Sequence, residues 1–261
     1  MSNIWNVIFL NPIFNILVIF YDTISNLGLS IFLFTVLIKF ILIPLTIPSL
    51  KMSKKQRDIQ PELNKIRQKY KYDKRKQAEM QMELFKKHGI NTGAGCLTSI
   101  VMMTLMIAIC NSVRMLTMNP DLTSLNERIY FEQMKFDSSK IIDTKFLYLD
   151  LSKPDPYLIL TVITVLLQFI STKMVSPYTE TSEKAAKQTP EKSDDMMAMM
   201  QKQNMYIMPI MFFFFGITLP SGVMIYIATS TLFQIVQTYF FSGWGGLKPW
   251  INKLKFAKKT L

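Results

Sequence analysis

At 261 residues, 49% of them hydrophobic, with a formal net charge of +12 and a mean hydropathy of +0.21, the chain is at once apolar and basic. Charged residues still make up 18%, so they must be segregated from the apolar segments, a pattern that points to an integral membrane protein and away from a water-soluble globule. With one histidine, two cysteines too far apart on one apolar helix to bridge (Cys96 and Cys110) and no nucleophile or metal-ligand constellation, neither catalysis nor a cofactor is expected.

Residues 1–27 contain "IWNVIFLNPIFNILVIFY", apolar but interrupted by Asn11, Pro12 and Asn15, with Asp22 just beyond. A signal peptide would need a basic n-region, and this stretch has none. It reads as a helix lying at the outer membrane interface, with an uncleaved span as the alternative.

Residues 28–50 form an apolar run of 23 residues, enough to cross a hydrocarbon core of about 30 Å at about 1.5 Å per residue. Lys39 interrupts it roughly 16 Å from either end. That is farther than a lysine comfortably snorkels. Thr35 and Thr46, at i−4 and i+7, share its helix face.

The 51–95 segment carries thirteen basic residues against five acids. Apolar positions at Met52, Ile59, Leu63, Ile66 and Tyr70 predict one amphipathic helix, "KYDK" a turn, and Ala78, Met82 and Phe85 the inner face of a second. The result is a basic helical hairpin whose Lys54, Lys55, Arg57, Lys74 and Arg75 suit anionic lipid, ribosomal RNA or a nascent chain. A solvated linker that merely enforces topology is the alternative.

Four further spans are expected, at 96–117, 157–176, 205–219 and 223–242. The 118–156 loop holds five basic residues against seven acids, and a second loop covers 177–204. "MMAMM" before the short fourth span could lengthen its helix. "PSG" at 220–222 allows only a tight turn, so the last two spans form a hairpin. The 243–261 tail has five lysines (Lys248, Lys253, Lys255, Lys258 and Lys259) and no acid. The positive-inside rule then puts the hairpin and the tail in the cytoplasm, and the N-terminus and the 118–156 loop outside.

None of the eighteen acids falls within the five spans, so Lys39 has no carboxylate to pair with at depth. Polar stripes recur at helical spacing: Thr161, Thr164, Gln168 and Thr172 in the third span, Ser230, Gln234, Gln237 and Thr238 in the fifth, and a weaker pair, Thr104 and Asn111, in the second. Each threonine alone is readily explained as glue between helices. Glue does not solvate a cation, and a water-filled cavity would. The fold expected is all-α, five transmembrane helices around a polar groove, with Lys39, Thr35, Thr46, Gln168, Gln234 and Gln237 lining it.

Several motifs together resemble one family, the YidC membrane protein insertases with their mitochondrial and chloroplast relatives. They are "FTVLIKFILIPL" followed by "KMSKKQRDIQPELNKIRQKY", then "NTGAGCLTSIVMMTLMIAI", "FLYLDLSKPDPYLIL" and "MPIMFFFFGITLPSGVMIYIATSTLFQIVQ". The resemblance implies a groove open to the cytoplasm and to lipid, with a central cation matched by Lys39 and a glutamine matched by Gln237. The chain departs from the family in having lysine for arginine at Lys39, Ile227 for tryptophan, Thr231 for asparagine, and Thr92 and Thr98 where prolines are usual. It looks like a compact form, without a large extracytoplasmic domain.

The function so implied is a membrane protein insertase and chaperone in the bacterial plasma membrane, with nascent membrane proteins, the ribosome, the Sec translocon and anionic lipid as partners and no specific DNA binding. A small secondary transporter using Lys39 as an anion or proton site is the alternative. No internal repeat supports it.

Overall fold

The computed structural model describes residues 2–90, 92–117, 122–136, 142–176, 207–248, 250 and 251. The described chain is helical apart from loops and one two-stranded hairpin. It divides into two compact units. One comprises Met1–Ile43, Ser99–Leu166 and Met211–Phe233, the other Pro44–Thr98, Leu167–Ile210 and Gln234–Leu261.

In the first unit a π-helical stretch, Asn6–Leu10, leads into α1, Asn11–Ile24. Pro12 stands in the first turn of α1, where its missing N–H disturbs the preceding ladder least. Ser25, in the left-handed conformation, ends α1, and the Asn26 side chain caps α2, Leu27–Ile41, by accepting the Leu29 N–H at 2.9 Å. The tight link folds α1 back on α2, and Phe14, Leu17 and Val18 bury against Leu27, Ile31 and Phe34 in one core.

Along its length α1 is also tied to the 118–156 loop. The buried Asn15 donates to the Arg128 carbonyl and accepts from the Tyr130 N–H, both at 2.8 Å. Arg128 donates to Asn11, and the Tyr21 hydroxyl accepts from the Asp143 N–H.

The expected first span is not one helix. It breaks at Leu42, between α2 and α3, Ile43–Asp58. Pro44 is the reason: it cannot donate to the Phe40 carbonyl, and its ring crowds that carbonyl and disfavours helical geometry at Ile43.

Further along, α4, Gln60–Lys69, and α5, Lys74–Lys87, flank a turn, with Asp73 capping α5 through the Lys76 N–H. Their small core is Ile59, Leu63, Leu84 and Ile90, with Met52, Ile66 and Phe85 packed against it. The face expected for α5 is therefore corrected. Phe85 belongs to it, but Ala78 and Met82 are exposed, and Gln77 and Leu84, seven apart, point inward instead.

The long helix α6, Thr92–Thr117, precedes the short α7, Leu122–Asn126. Strands β1, Lys145–Phe146, and β2, Leu149–Asp150, pair antiparallel. Helix α8 covers Ile159–Val175, α9 covers Ile207–Thr218 and α10 covers Ser221–Ser242. Only Leu219 and Pro220 separate α9 from α10, and the first N–H groups of α10 donate to the Lys153 and Leu151 carbonyls.

Among the described residues, Asn6–Ile24, Ile100–Thr117 and Ser221–Ser242 are long and apolar enough to cross a membrane, and α2 with α3 qualifies as one broken span. α8 and α9 are apolar but shorter. The "MMAMM" stretch and the 177–204 loop lie outside the described residues.

Candidate functional site

Lys39 stands in the last turn of α2, half-buried. Among the described residues no carboxylate, carbonyl or hydroxyl bonds its ammonium. The neighbouring side chains on the exposed face, Leu37, Phe40 and Ile41, are all apolar. Thr35, one turn earlier, is buried and spends its proton on the Ile31 carbonyl at 2.6 Å.

The same economy runs through the apolar helices. Ser112, Thr117, Thr164 and Thr231 each donate to the carbonyl four residues back, at 2.7–2.9 Å. A hydroxyl bonded in this way has no proton left to give but keeps acceptor lone pairs. Hydroxyls of this kind accept from a cation or water but do not donate to an anion; the Thr161 and Thr238 hydroxyls of the polar stripes, by contrast, are buried with no hydrogen-bond partner among the described residues.

The second unit contains the other residues expected at the site. Gln237, buried near the end of α10, donates to the Thr46 hydroxyl of α3 at 2.5 Å. Gln168 on α8 and Gln234 on α10 are half-buried. Thr46 and Gln237 are thus brought together, whereas Thr35 and Lys39 belong to the first unit.

Arg57 differs from the other basic residues of its segment. Its Nη1 donates to the last carbonyls of α8, Met174 at 3.0 Å and Val175 at 3.1 Å, and its Nη2 to the Ser242 hydroxyl. Helix C-terminal carbonyls have no partner within their own helix, and a guanidinium fork fits two of them at once. The chain just after α10 joins the cluster: a Cβ on Gly245 would lie 2.0 Å from the Met174 oxygen, and one on Gly246 2.3 Å from the Lys173 oxygen. Lys173 stacks on the Trp250 ring at 3.5 Å, and Phe169 lies beside that ring.

Arg57 therefore leaves the set of free surface cations. The one sign available beforehand was that it is an arginine, suited to a bidentate role, and Arg67 and Arg75 of the same segment share that sign. Lys54, Lys55, Arg75 and Lys248 are exposed, although the Lys55 ammonium reaches the His88 carbonyl at 3.4 Å. The side chain of Lys74 and all of Lys253, Lys255, Lys258 and Lys259 lie outside the described residues. No cluster of metal-ligating side chains occurs among the described residues.

Comparison with known proteins gives the family of the chain. The model of the "60Kd inner membrane protein" family matches residues 19–244. A protein of Fusobacterium nucleatum named membrane protein insertase YidC is 32% identical over 219 residues, covering 83% of this chain and 86% of its own length. The Bacillus subtilis membrane protein insertase MisCA is 31% identical over 223 residues, covering 84% of this chain and 71% of its own. A crystal structure titled as an active YidC insertase with its first transmembrane domain resolved aligns with a TM-score of 0.51 at 25% identity, over 85% of this chain. This chain spans 43% of that longer one. With a family model matched over most of its length and relatives above 30% identity, the chain belongs to the 60Kd inner membrane protein family, that of the YidC insertases.

Proposed function

We propose that this chain moves hydrophilic segments of nascent membrane proteins into a hydrated groove within the bilayer and releases their apolar spans into lipid. As a member of its family it is not an enzyme, and no covalent step is involved. The observation that carries the reading is Lys39: a cation in an apolar helix of a membrane protein, with no partner among the described residues. Water solvates it at rest, and the acidic flanks of a client are drawn to it. Moving a charge unaided through hydrocarbon costs about 3 kcal/mol or more, so a wet half-path lowers the barrier. Thr46, Gln168, Gln234 and Gln237 offer neutral hydrogen bonds along the way.

The N-terminus lies outside and the basic segments face the cytoplasm, where Lys54, Lys55, Lys74, Arg75 and the tail lysines meet anionic lipid or the ribosome. The ties from Asn11, Asn15 and Tyr21 to the 118–156 loop support an interfacial position for α1 on the outer side.

The test is insertion of one client carrying either acidic or neutral tails, normalised to folded insertase. Lys39→Arg retains activity on both. Lys39→Met loses at least about tenfold on the acidic-tailed client, equivalent to about 1.4 kcal/mol, and little on the neutral one. Equal activity of Lys39→Met and the native protein on the acidic tail rejects the groove-cation mechanism.

A further inference from the structure

Leu147 and Tyr148 form the two-residue loop between β1 and β2. Leu147 has φ 55°, the left-handed region in which such loops ordinarily use glycine or asparagine, and it is 85% exposed. A leucine there is unfavourable twice, by backbone strain and by contact with water, and nothing in the fold beneath it requires one. Strain of this kind, held in place by its surroundings, is a pointer to function.

The surroundings hold the hairpin firmly. Phe146 lies directly over Gly28 near the start of α2, where a Cβ would come within 2.2 Å of its ring. The Tyr148 hydroxyl accepts the Leu160 N–H in the first turn of α8 at 3.1 Å, and the Tyr148 and Tyr157 rings lie 6.0 Å apart. Asp150 accepts from the Thr144 and Ser152 hydroxyls across the base. The tip is thereby fixed at the N-terminal ends of two apolar helices.

Those ends are also where a bilayer surface falls. The seventeen residues of α8 span about 25 Å, short of a hydrocarbon core of about 30 Å, so both its ends lie at or within the headgroup boundary. Leu147 and Tyr157 continue the exposed apolar residues of the two helices, Leu29 and Phe32 on α2 and Ile159, Val162 and Ile163 on α8. Lys145, exposed, lies beside the tip, as phosphate headgroups favour, and the exposed Lys153 ammonium is paired with Asp150 at 3.4 Å.

We propose that Leu147, with Tyr148 and Tyr157 beside it, is an interfacial anchor seated in the boundary between lipid headgroups and acyl chains. Only the choice of leaflet, the outer one, rests on the function proposed above.

The test uses the full chain with Cys96 and Cys110 replaced by serine and Leu147→Cys labelled with an NBD fluorophore, in nanodiscs of phosphatidylcholine and phosphatidylglycerol. Lipids with a nitroxide high on the acyl chain should quench the label strongly and aqueous iodide weakly, the reverse of a label at the exposed Tyr72. Iodide quenching equal to that at Tyr72 overturns the anchor. Leu147→Asn supplies the second arm, because asparagine fits the left-handed turn better. It should leave thermal stability in detergent unchanged or raised and lower it in nanodiscs; stabilisation in both media overturns the proposal. Neither readout involves a client, so failure of the insertase reading would leave this result standing.

Discussion

Lys39 on α2 and Arg57 on α3 are two half-buried cations treated in opposite ways. Arg57 has three acceptors, two helix-terminal carbonyls and a serine hydroxyl. Lys39 has none among the described residues. A cation that a fold depends on is met by fixed acceptors, since an unpaired charge away from water is costly. One without acceptors is not tied into the fold in this way, and the function proposed above gives it a client's acidic flanks instead.

The sharpest way to break this comparison is to remove both charges in turn. Arg57→Met leaves the carbonyls of Met174 and Val175 and the Ser242 hydroxyl without their donor, and should lose about 2–4 kcal/mol of stability in thermal unfolding in detergent. Arg57→Lys should recover less than half, because a single ammonium cannot reproduce the fork. Lys39→Met, by contrast, should leave thermal stability unchanged or raised by about 1 kcal/mol while it impairs the acidic-tailed client. A large stability loss from Lys39→Met would erase the distinction.

A smaller effect is expected on the surface. Replacing any one of Lys54, Arg75 and Lys248 by glutamine should weaken binding to phosphatidylglycerol vesicles or ribosomes a few-fold, by about 1 kcal/mol at low salt, with the difference vanishing as salt is raised. Arg57 has no share in that surface, and salt-independent binding would argue against the role.

The smallest effect concerns Asp150. Hydrogen bonds from Ser152, followed by that from Thr144, hold its carboxyl down at about 2, against partial desolvation. A depressed carboxyl stabilises the hairpin only while ionised. Its contribution is complete above an ordinary aspartate pKa near 4 and lost as pH falls from there towards about 2. Its partial exposure keeps the effect below about 1 kcal/mol, and Asp150→Asn should flatten the acid limb of the unfolding profile.

Much of the helical layout was legible because apolar runs and charge blocks alternate so plainly along the chain. The link between α9 and α10 follows from "PSG". What escaped has physical causes. Pro44 sits among leucines and isoleucines, and hydropathy does not register that it breaks the ladder at Leu42. On α5, Ala78 and Met82 fit an apolar face as well as Leu84 does, and the position of Ile90 decides between them. The threonine stripes were visible, but not that Thr35 and Thr164 spend their protons on carbonyls within the same helix. Arg57 was legible only as charge, because its acceptors come from Met174 and Val175, 117 and 118 residues further along the chain, and from Ser242, 185 residues away.

That separation has a consequence for heredity and for engineering. Arg57, the last turn of α8, Ser242 and the two glycines that lie against Lys173 and Met174 form one heritable unit written in three places. A change in one is tolerated only with a matching change in the others, so these positions should covary among relatives. Chimaeras that exchange the basic tail between family members will keep the unit intact only if the joint falls beyond Trp250.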